Sequence, residues 1–459
     1  MNQIDQPLPQ VREGRIAAVL AEWKTLFTLG GPILIAQLAQ MANGVIDTVM
    51  AGHASAEDLA GVGIGAGLWV PMLLFCIGTL NALQPTISGL RGAGVLERIV
   101  AITWQGIYIA AVGAVIMILL LANTEPLLTL LRLEPRTAAI ANGYLYAFAW
   151  GVPALLLLNA LRGLTDGLGY TRVIMGFSLL STTLNLPLNY IFIYGKLGLP
   201  AFGGIGCGWA TSLANGIAVL AMLIYLNRSR IFAQFHLLRG WVAPQWQEIQ
   251  RLLRLGLPIG FTMFVEVSMF AVIALFLAPL GPQVVAGHQI VLNMTSVIFM
   301  VPLSLGMALT LRVSFLVGAE RPARARLLAR SALLLALAIA AVYVPLILWS
   351  RHLVVTFYTD DVQVQLIAAH LFMFAAFFQV ADVIQVTAIN ALRGYRDTRI
   401  PMLIILLSFW GVALPLGYLL TFTDTFGEVM GASGFWMALI VGLAVAGVLL
   451  TWRLFRFTR

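Results

Sequence analysis

The sequence predicts an all-α polytopic membrane protein: twelve transmembrane helices in two six-helix bundles, related by a pseudo-two-fold axis along the membrane normal. Three observations predict it. The 459 residues are 60% hydrophobic and 10% charged, with a mean hydropathy of +0.94, well outside the range of soluble domains. Runs of about 20 apolar residues, each long enough to cross a hydrocarbon core of about 30 Å, recur along the whole chain. Residue n also resembles residue n+226 without a gap across some sixty positions, which marks a duplication.

The spans fall near 26–50, 60–85, 101–122, 141–161, 173–194 and 204–226, and then near 252–278, 285–311, 327–349, 365–389, 400–421 and 431–452. They divide the chain into a cytoplasmic tail (1–24), a first bundle (25–226), a cytoplasmic linker (227–250), a second bundle (251–453) and a short cytoplasmic tail (454–459). In the duplication Gly30 and Pro32 fall on Gly256 and Pro258, Ala60 and Gly61 on Ala286 and Gly287, Ser88 on Ser314, and Gly92 on Gly318. With a slightly larger offset the string NALRG recurs at 159–163 and 390–394, and LPLNY at 186–190 is echoed by LPLGY at 414–418. Six spans per repeat is an even number, so both halves enter the bilayer in the same direction. Two such bundles leave a cleft between them, with substrate sites expected near mid-membrane.

Basic residues set the orientation. With a cytoplasmic N-terminus, 23 of the 27 Lys and Arg lie on inside segments, and Arg132, Arg136, Lys196 and Arg351 lie outside. That bias places both termini in the cytoplasm, in a bacterial inner membrane. It also accounts for the net charge of +8 without nucleic acid. RPARARLLAR and RLFRFTR read as juxtamembrane anchors on anionic lipid. Cys76 and Cys207 sit in separate apolar spans, which argues against a disulfide or a metal site. The polar start MNQIDQPLPQVREGR lacks a small-residue cleavage site and reads as a tail, not a signal peptide.

Three carboxylates lie inside apolar runs: Asp47 in NGVIDTVMAG, Glu266 in FTMFVEVSMFAVIALFLA and Asp382 in FMFAAFFQVADVIQVTAI. An ionised acid at bilayer depth costs several kcal/mol, so such acids usually face a polar cavity and handle a cation or a proton. They do not follow the repeat. Glu266 falls over Gln40, Asp47 over Ile273 and Asp382 over Gly151, which suggests that the two halves do different work. Thr262 shares the face of Glu266 one turn earlier, and Gln379 and Gln385 flank Asp382 at i−3 and i+3. Two acids in one bundle can share a cation or hold a proton. Asn185 and Asn189, spaced i, i+4, project from one face of the fifth span, where they serve either as helix–helix glue or, beside Asp47, as part of a site. His288 and Gln289 open the eighth span with Asn293 one turn below, and the histidine reads as helix–helix glue. GVGIGAG (61–67) and GGIGCG (203–208) follow no strand and carry no lysine, so they read as close helix packing. No Walker motif, nucleophile elbow or His/Cys cluster is present, so neither an enzyme nor an ATP-driven pump is indicated. Phe261, Phe264, Phe270, Phe372, Phe374, Phe377 and Phe378 crowd the acid-bearing helices, and aromatic faces beside carboxylates suit large cationic ligands.

The strings GxPIxxxQxxxxxxxxxDTxMAG, FTMFVEVSMF, AGHQIVLN, FQVADVIQVTAINALRGYRDTRIPM and LPLNYIFIYGKLG resemble the multidrug and toxic-compound extrusion (MATE) family, and within it the NorM-type bacterial exporters. The resemblance runs from about residue 25 to 453. It implies a secondary active antiporter that exports cationic and aromatic drugs and dyes in exchange for Na+ or H+ by alternating access, as a monomer among membrane lipids and with no cofactor beyond the coupling ion. The family's coupling acids match Glu266 and Asp382, where Na+ would bind, and Asp47 with Asn185 and Asn189 beside it. Gln40, Gln289, Asn293, Phe378 and Gln379 join as supporting polar or substrate-site positions. Phe378 departs from relatives that carry a tyrosine there, and the ion stays open between Na+ and H+. A lipid-linked-precursor flippase of the same superfamily would be expected to carry more basic residues within its cavity. A major-facilitator transporter would carry an Asp-Arg-x-Gly-Arg core, absent from GLRGAGVLERI (89–99).

Overall fold

The computed structural model describes residues 15–130, 133–233, 235, 237, 240–425 and 428–458. Residues 1–14 of the predicted tail 1–24, Arg12 among them, and the basic residues Arg132, Arg239 and Arg459 lie outside them. Among the described residues the chain is helical throughout. α1 (Arg15–Ala54), α2 (Ala56–Leu80), α3 (Leu83–Gly92), α4 (Glu97–Ala122), α5 (Glu125–Leu130), α6 (Pro135–Ala149), α7 (Val152–Gly167), α8 (Thr171–Tyr194) and α9 (Ile205–Arg228) carry the first repeat. After the short α10 (Arg230–Ala233), the second repeat follows as α11 (Trp246–Leu277), α12 (Pro282–Gly318), α13 (Pro322–Tyr358), α14 (Val362–Gly394), α15 (Arg399–Leu406), α16 (Leu414–Phe422) and α17 (Ala432–Phe457).

Ten of these, with α2 continued by α3 and α15 by α16, are long and apolar enough to cross a membrane, and α6 with α7 forms an eleventh span bent by 46°. α8 has the length, 24 residues, but Ser178, Ser181, Thr182, Thr183, Asn185 and Asn189 lower its hydropathy. Together they make the twelve spans that the periodicity predicts. The helices overrun the predicted edges. α1 already starts at Arg15, and α17 continues to Phe457, so residues 15–24 and 454–457 are helix rather than tail.

Caps and close approaches explain the local geometry. Ser55 accepts from the Asp58 amide at 2.9 Å, and Asp58 Oδ1 accepts from the Gly204 amide at 2.6 Å, so one acid joins the start of α2 to the start of α9. Asp361 caps α14 by accepting from the Gln363 amide at 2.8 Å, filling one of the orphan donors of a helix start. Gly61 and Gly65 have no room for a side chain because Ile140 and Tyr144 of α6 lie against them. The glycine string of α2 is therefore a packing face, as read from the sequence.

The chain separates into two compact units, but not at the linker. One unit is Ile35–Gly260, and the other joins the chain up to Leu34 with Phe261–Arg459. This corrects the predicted bundle boundaries at 25–226 and 251–453. The physical reason is that the first helix of each repeat changes unit beside its internal proline, Pro32 in α1 and Pro258 in α11. Around Pro32, Leu26, Leu29 and Ile33 join the core built on α12, α13, α14 and α17, whereas Leu252, ahead of Pro258, joins the core built on α2, α4, α6 and α7. Glycines make the exchange fit: Gly30 packs against Ser304 and Leu305 of α12, and its repeat partner Gly256 packs against the backbone of Thr79 in α2. Thr79 falls on Leu305 at the same offset of 226.

The exchange is clasped by charge. Glu22, fully buried, accepts from Arg312 Nε at 2.7 Å and from Arg324 Nε at 2.6 Å. Its repeat partner Glu248 accepts from Arg98 at 2.7 Å and from Arg251 at 2.7 Å. Arg98 falls on Arg324 at the offset of 226, so one ion pair is duplicated along with the fold.

Candidate functional site

In the unit Ile35–Gly260, Asp47 of α1 is buried against α8 and α9 in a closed ring of hydrogen bonds. Asn189 Nδ2 donates to Asp47 Oδ1 at 2.6 Å and to Asn185 Oδ1 at 3.0 Å. Asn185 Nδ2 donates to Thr211 Oγ1 at 3.0 Å, and Thr211 Oγ1 donates to Asp47 Oδ2 at 3.1 Å. The i, i+4 spacing of the asparagines sets them one above the other on α8, as predicted. Cys207 Sγ reaches the Asp47 carbonyl at 3.6 Å, and Tyr194 Oη donates to the Met50 carbonyl at 3.2 Å, which fixes this part of α1. Asn189 Oδ1 is buried and remains an unused acceptor. Two carboxylate oxygens and one spare amide oxygen can receive a proton or a small monovalent cation. Thr211 completes the ring and was not singled out in the sequence. Gln40, two turns before Asp47, stands outside the bonded ring.

In the other unit Glu266 of α11 faces the polar stripe of α14. Gln385 Nε2 donates to Glu266 Oε1 at 3.0 Å. Asp382, buried one turn earlier on α14, is close enough to Glu266 for their charges to repel. Arg393, two turns beyond Gln385, is close enough to Glu266 to attract it. The cluster therefore sums two carboxylates against one guanidinium, so it holds one uncompensated negative charge when both acids are ionised. That charge matches one proton or one monovalent cation.

Arg393 takes this role because the repeat diverges around NALRG. In the first repeat Arg162 is buried and donates to Asp166 Oδ2 at 3.1 Å and to Gln37 Oε1 at 2.9 Å. The counterpart of Asp166 is Asp397, and there Arg453 has claimed the acid at 2.9 Å. Arg393 instead donates to Asn390 Oδ1 at 3.5 Å and acts on Glu266 by charge alone.

The remaining predicted positions scatter. Gln379 is buried but turns to α12, donating to the Thr295 carbonyl at 3.4 Å. Phe378 is buried edge-on to Phe270 at 6.4 Å and Trp436 at 5.7 Å, a packing role. Gln289 is exposed, and Asn293 is exposed and accepts from Tyr358 Oη at 2.8 Å, away from the acids. His288 accepts from Trp436 Nε1 at 3.2 Å, the interhelical bond expected of it.

A family model described as MatE matches residues 32–191 and again 258–419. The chain belongs to the MatE family. The two matches begin at Pro32 and Pro258, the same residues at which the helices change unit. Within this family the chain is 41% identical to the Probable multidrug resistance protein NorM of Idiomarina loihiensis, over 95% of each chain. It is 40% identical to the Multidrug resistance protein MdtK of Yersinia pestis, again over 95% of each. Its fold matches a eukaryotic MATE transporter with a TM-score of 0.87 at 19% identity, covering 95% of this chain and 96% of that one. It matches the Vibrio cholerae MATE transporter VcmN with 0.84 at 19% identity, covering 96% and 98%. The MatE fold is therefore present in full, and the two buried acid clusters belong to this chain's own version of it.

Proposed function

We propose that the protein is a secondary active multidrug efflux antiporter of the bacterial inner membrane, exporting cationic and aromatic compounds in exchange for Na+ or H+. The observation that carries this reading is Glu266 facing the Gln385–Asp382 stripe inside apolar helices, two carboxyls beside the charge of Arg393 that together carry one net negative charge when both are ionised. Such a site is empty-handed only at an electrostatic cost, so it binds either an inward-moving cation or proton, or an outward-moving drug cation. The names of relatives at 40–41% identity over most of the chain support the substrate class. The Asp47 ring in the other unit acts as a second proton- or cation-responsive site, where occupancy changes how many bonds Asp47 accepts.

The order of events follows from the charges. A drug cation held at the acids is released when the coupling ion takes its place, and the emptied protein returns the ion inward. The test uses protein in liposomes with an imposed Na+ gradient or an imposed proton gradient and a fluorescent cationic dye. One of the two gradients drives dye against its own gradient, opposite in direction to the ion. Dye movement that ignores both gradients overturns the antiport reading.

A further inference from the structure

The two repeats differ at the basic end of their third spans. In the unit Ile35–Gly260, the first turns of α4 are covered by the chain leading into α11. Trp104 Nε1 donates to the Leu237 carbonyl at 3.1 Å, Tyr108 Oη to the Val242 carbonyl at 2.7 Å and Gln105 Nε2 to the Ala243 carbonyl at 3.4 Å. The Gln245 amide donates back to Gln105 Oε1 at 2.8 Å. Neutral donors there meet neutral backbone.

At the offset of 226, Trp104, Gln105 and Tyr108 become Arg330, Ser331 and Leu334 of α13, and Val100 becomes Arg326. The same place in the other unit, between α13 and the first turns of α1, is a groove of about 760 Å³. Arg15, Arg326 and Arg330 line its polar part, and Leu20, Trp23 and Leu334 its apolar part. Arg326 and Arg330 are one turn apart on one face of α13. The groove is pre-shaped: Trp23 Nε1 donates to Ser331 Oγ at 3.3 Å, and the Arg330 guanidinium rests on the Phe455 ring at 5.4 Å. The described lining includes no carboxylate, and the adjacent acid, Glu22, is already held by Arg312 and Arg324. Leu20 and Leu334 are more than half exposed, so the apolar part opens to the bilayer.

We propose that this groove is a binding site for an anionic phospholipid, with the phosphate between Arg15, Arg326 and Arg330 and an acyl chain along Leu20, Trp23 and Leu334. Arg326 Nη1 donates to the Thr458 carbonyl at 3.5 Å, but cations in place of neutral donors bind a charged oxygen more strongly than a peptide carbonyl, because guanidinium–phosphate bonds are charge-assisted and bidentate. Basic pockets between transmembrane helices at the cytoplasmic edge suit such headgroups. A soluble anion would fill the arginine end alone and leave the apolar part uncovered.

The test is native mass spectrometry of the full-length protein in mild detergent, with phosphatidylglycerol or phosphatidylcholine of the same acyl chains added. The wild-type protein retains phosphatidylglycerol in preference to phosphatidylcholine. At roughly fivefold per arginine near a membrane surface, Arg326→Gln with Arg330→Gln lowers phosphatidylglycerol affinity about thirtyfold, while phosphatidylcholine is unaffected. Arg330→Lys keeps the charge but loses the bidentate fork, so it lowers binding less than Arg330→Gln. Arg15→Gln, at the first described turn, gives its own loss of about fivefold and serves if the double variant does not fold. Equal retention by variant and wild type overturns the proposal and leaves the groove to another occupant, such as the chain's own residues 1–14. Equal retention of both lipids overturns it too, as does complete displacement by millimolar inorganic phosphate, which marks an anion site only.

Discussion

Asp47 receives two hydrogen bonds from side chains that are themselves joined through Asn185, so a change at any of the four is felt at the carboxylate. Thr211→Val keeps the shape and removes one bond to the acid. A hydrogen bond to a charged group is worth about 1.5–3 kcal/mol. The expected result is a lowered thermal transition together with a displaced pH profile of dye export. An unmoved pH profile makes the ring structural. Glu266→Gln and Asp382→Asn keep volume and hydrogen-bonding shape but cannot change charge, so ion-driven export is lost while the protein still inserts and folds. Wild-type transport by both variants would sink the coupling assignment. These acids were legible because a carboxylate in an apolar run is costly and therefore conspicuous. Thr211 was not. A helical threonine usually bonds the carbonyl four residues back, as Thr25, Thr86 and Thr103 do here, so its type carries no signal. Arg393 was hidden for a related reason: an arginine at a helix end reads as an interfacial anchor, and its charge reaches Glu266 without a bond that spacing could reveal.

At the scale of elements, the twelve spans were legible because length and hydropathy are local properties. Their exchange between units was not, because it depends on what packs against Gly30 and Gly256. Both first helices carry an internal proline, which removes one backbone donor and weakens the helix where it changes unit. The two charge clasps that hold the leading segments have unequal burial. Glu22 and Arg312 are almost fully buried, whereas Arg98 is 52% exposed. Glu22→Gln leaves Arg312 buried without its acid, and breaking a buried pair in this way costs about 3–5 kcal/mol. Glu248→Gln breaks an exposed pair and costs under about 1 kcal/mol. Thermal unfolding of both variants in one detergent checks this, and equal shifts would mean that the pseudo-symmetric pairs carry equal weight.

For the whole molecule, the basic bias predicts which ends of the helices face the cytoplasm. A cysteine at Arg321, between α12 and α13, is expected to label only from the cytoplasm, and one at Asp360, between α13 and α14, only from outside. Reversed labelling overturns the orientation. The proposed antiport rests on the same asymmetry of charge. The scaffold is duplicated, yet the acids are not: one unit holds Asp47 in a ring of neutral side chains, and the other holds Glu266 and Asp382 near Arg393. Under that proposal the acid cluster, when ionised, attracts a drug cation at full strength only while the coupling ion is absent. Ion and drug therefore weaken each other, and linkage requires the two weakenings to be equal. Coupling of ordinary size changes affinity about 5- to 150-fold. Dye affinity of the purified protein, titrated at rising Na+ and at falling pH, should drop by such a factor with one of the two ions. That ion's affinity should drop by the same factor at saturating dye. In Asp382→Asn the mutual shift should vanish even where dye still binds. An undiminished shift in that variant would place the coupling charge elsewhere, with the Asp47 ring as the next group to test.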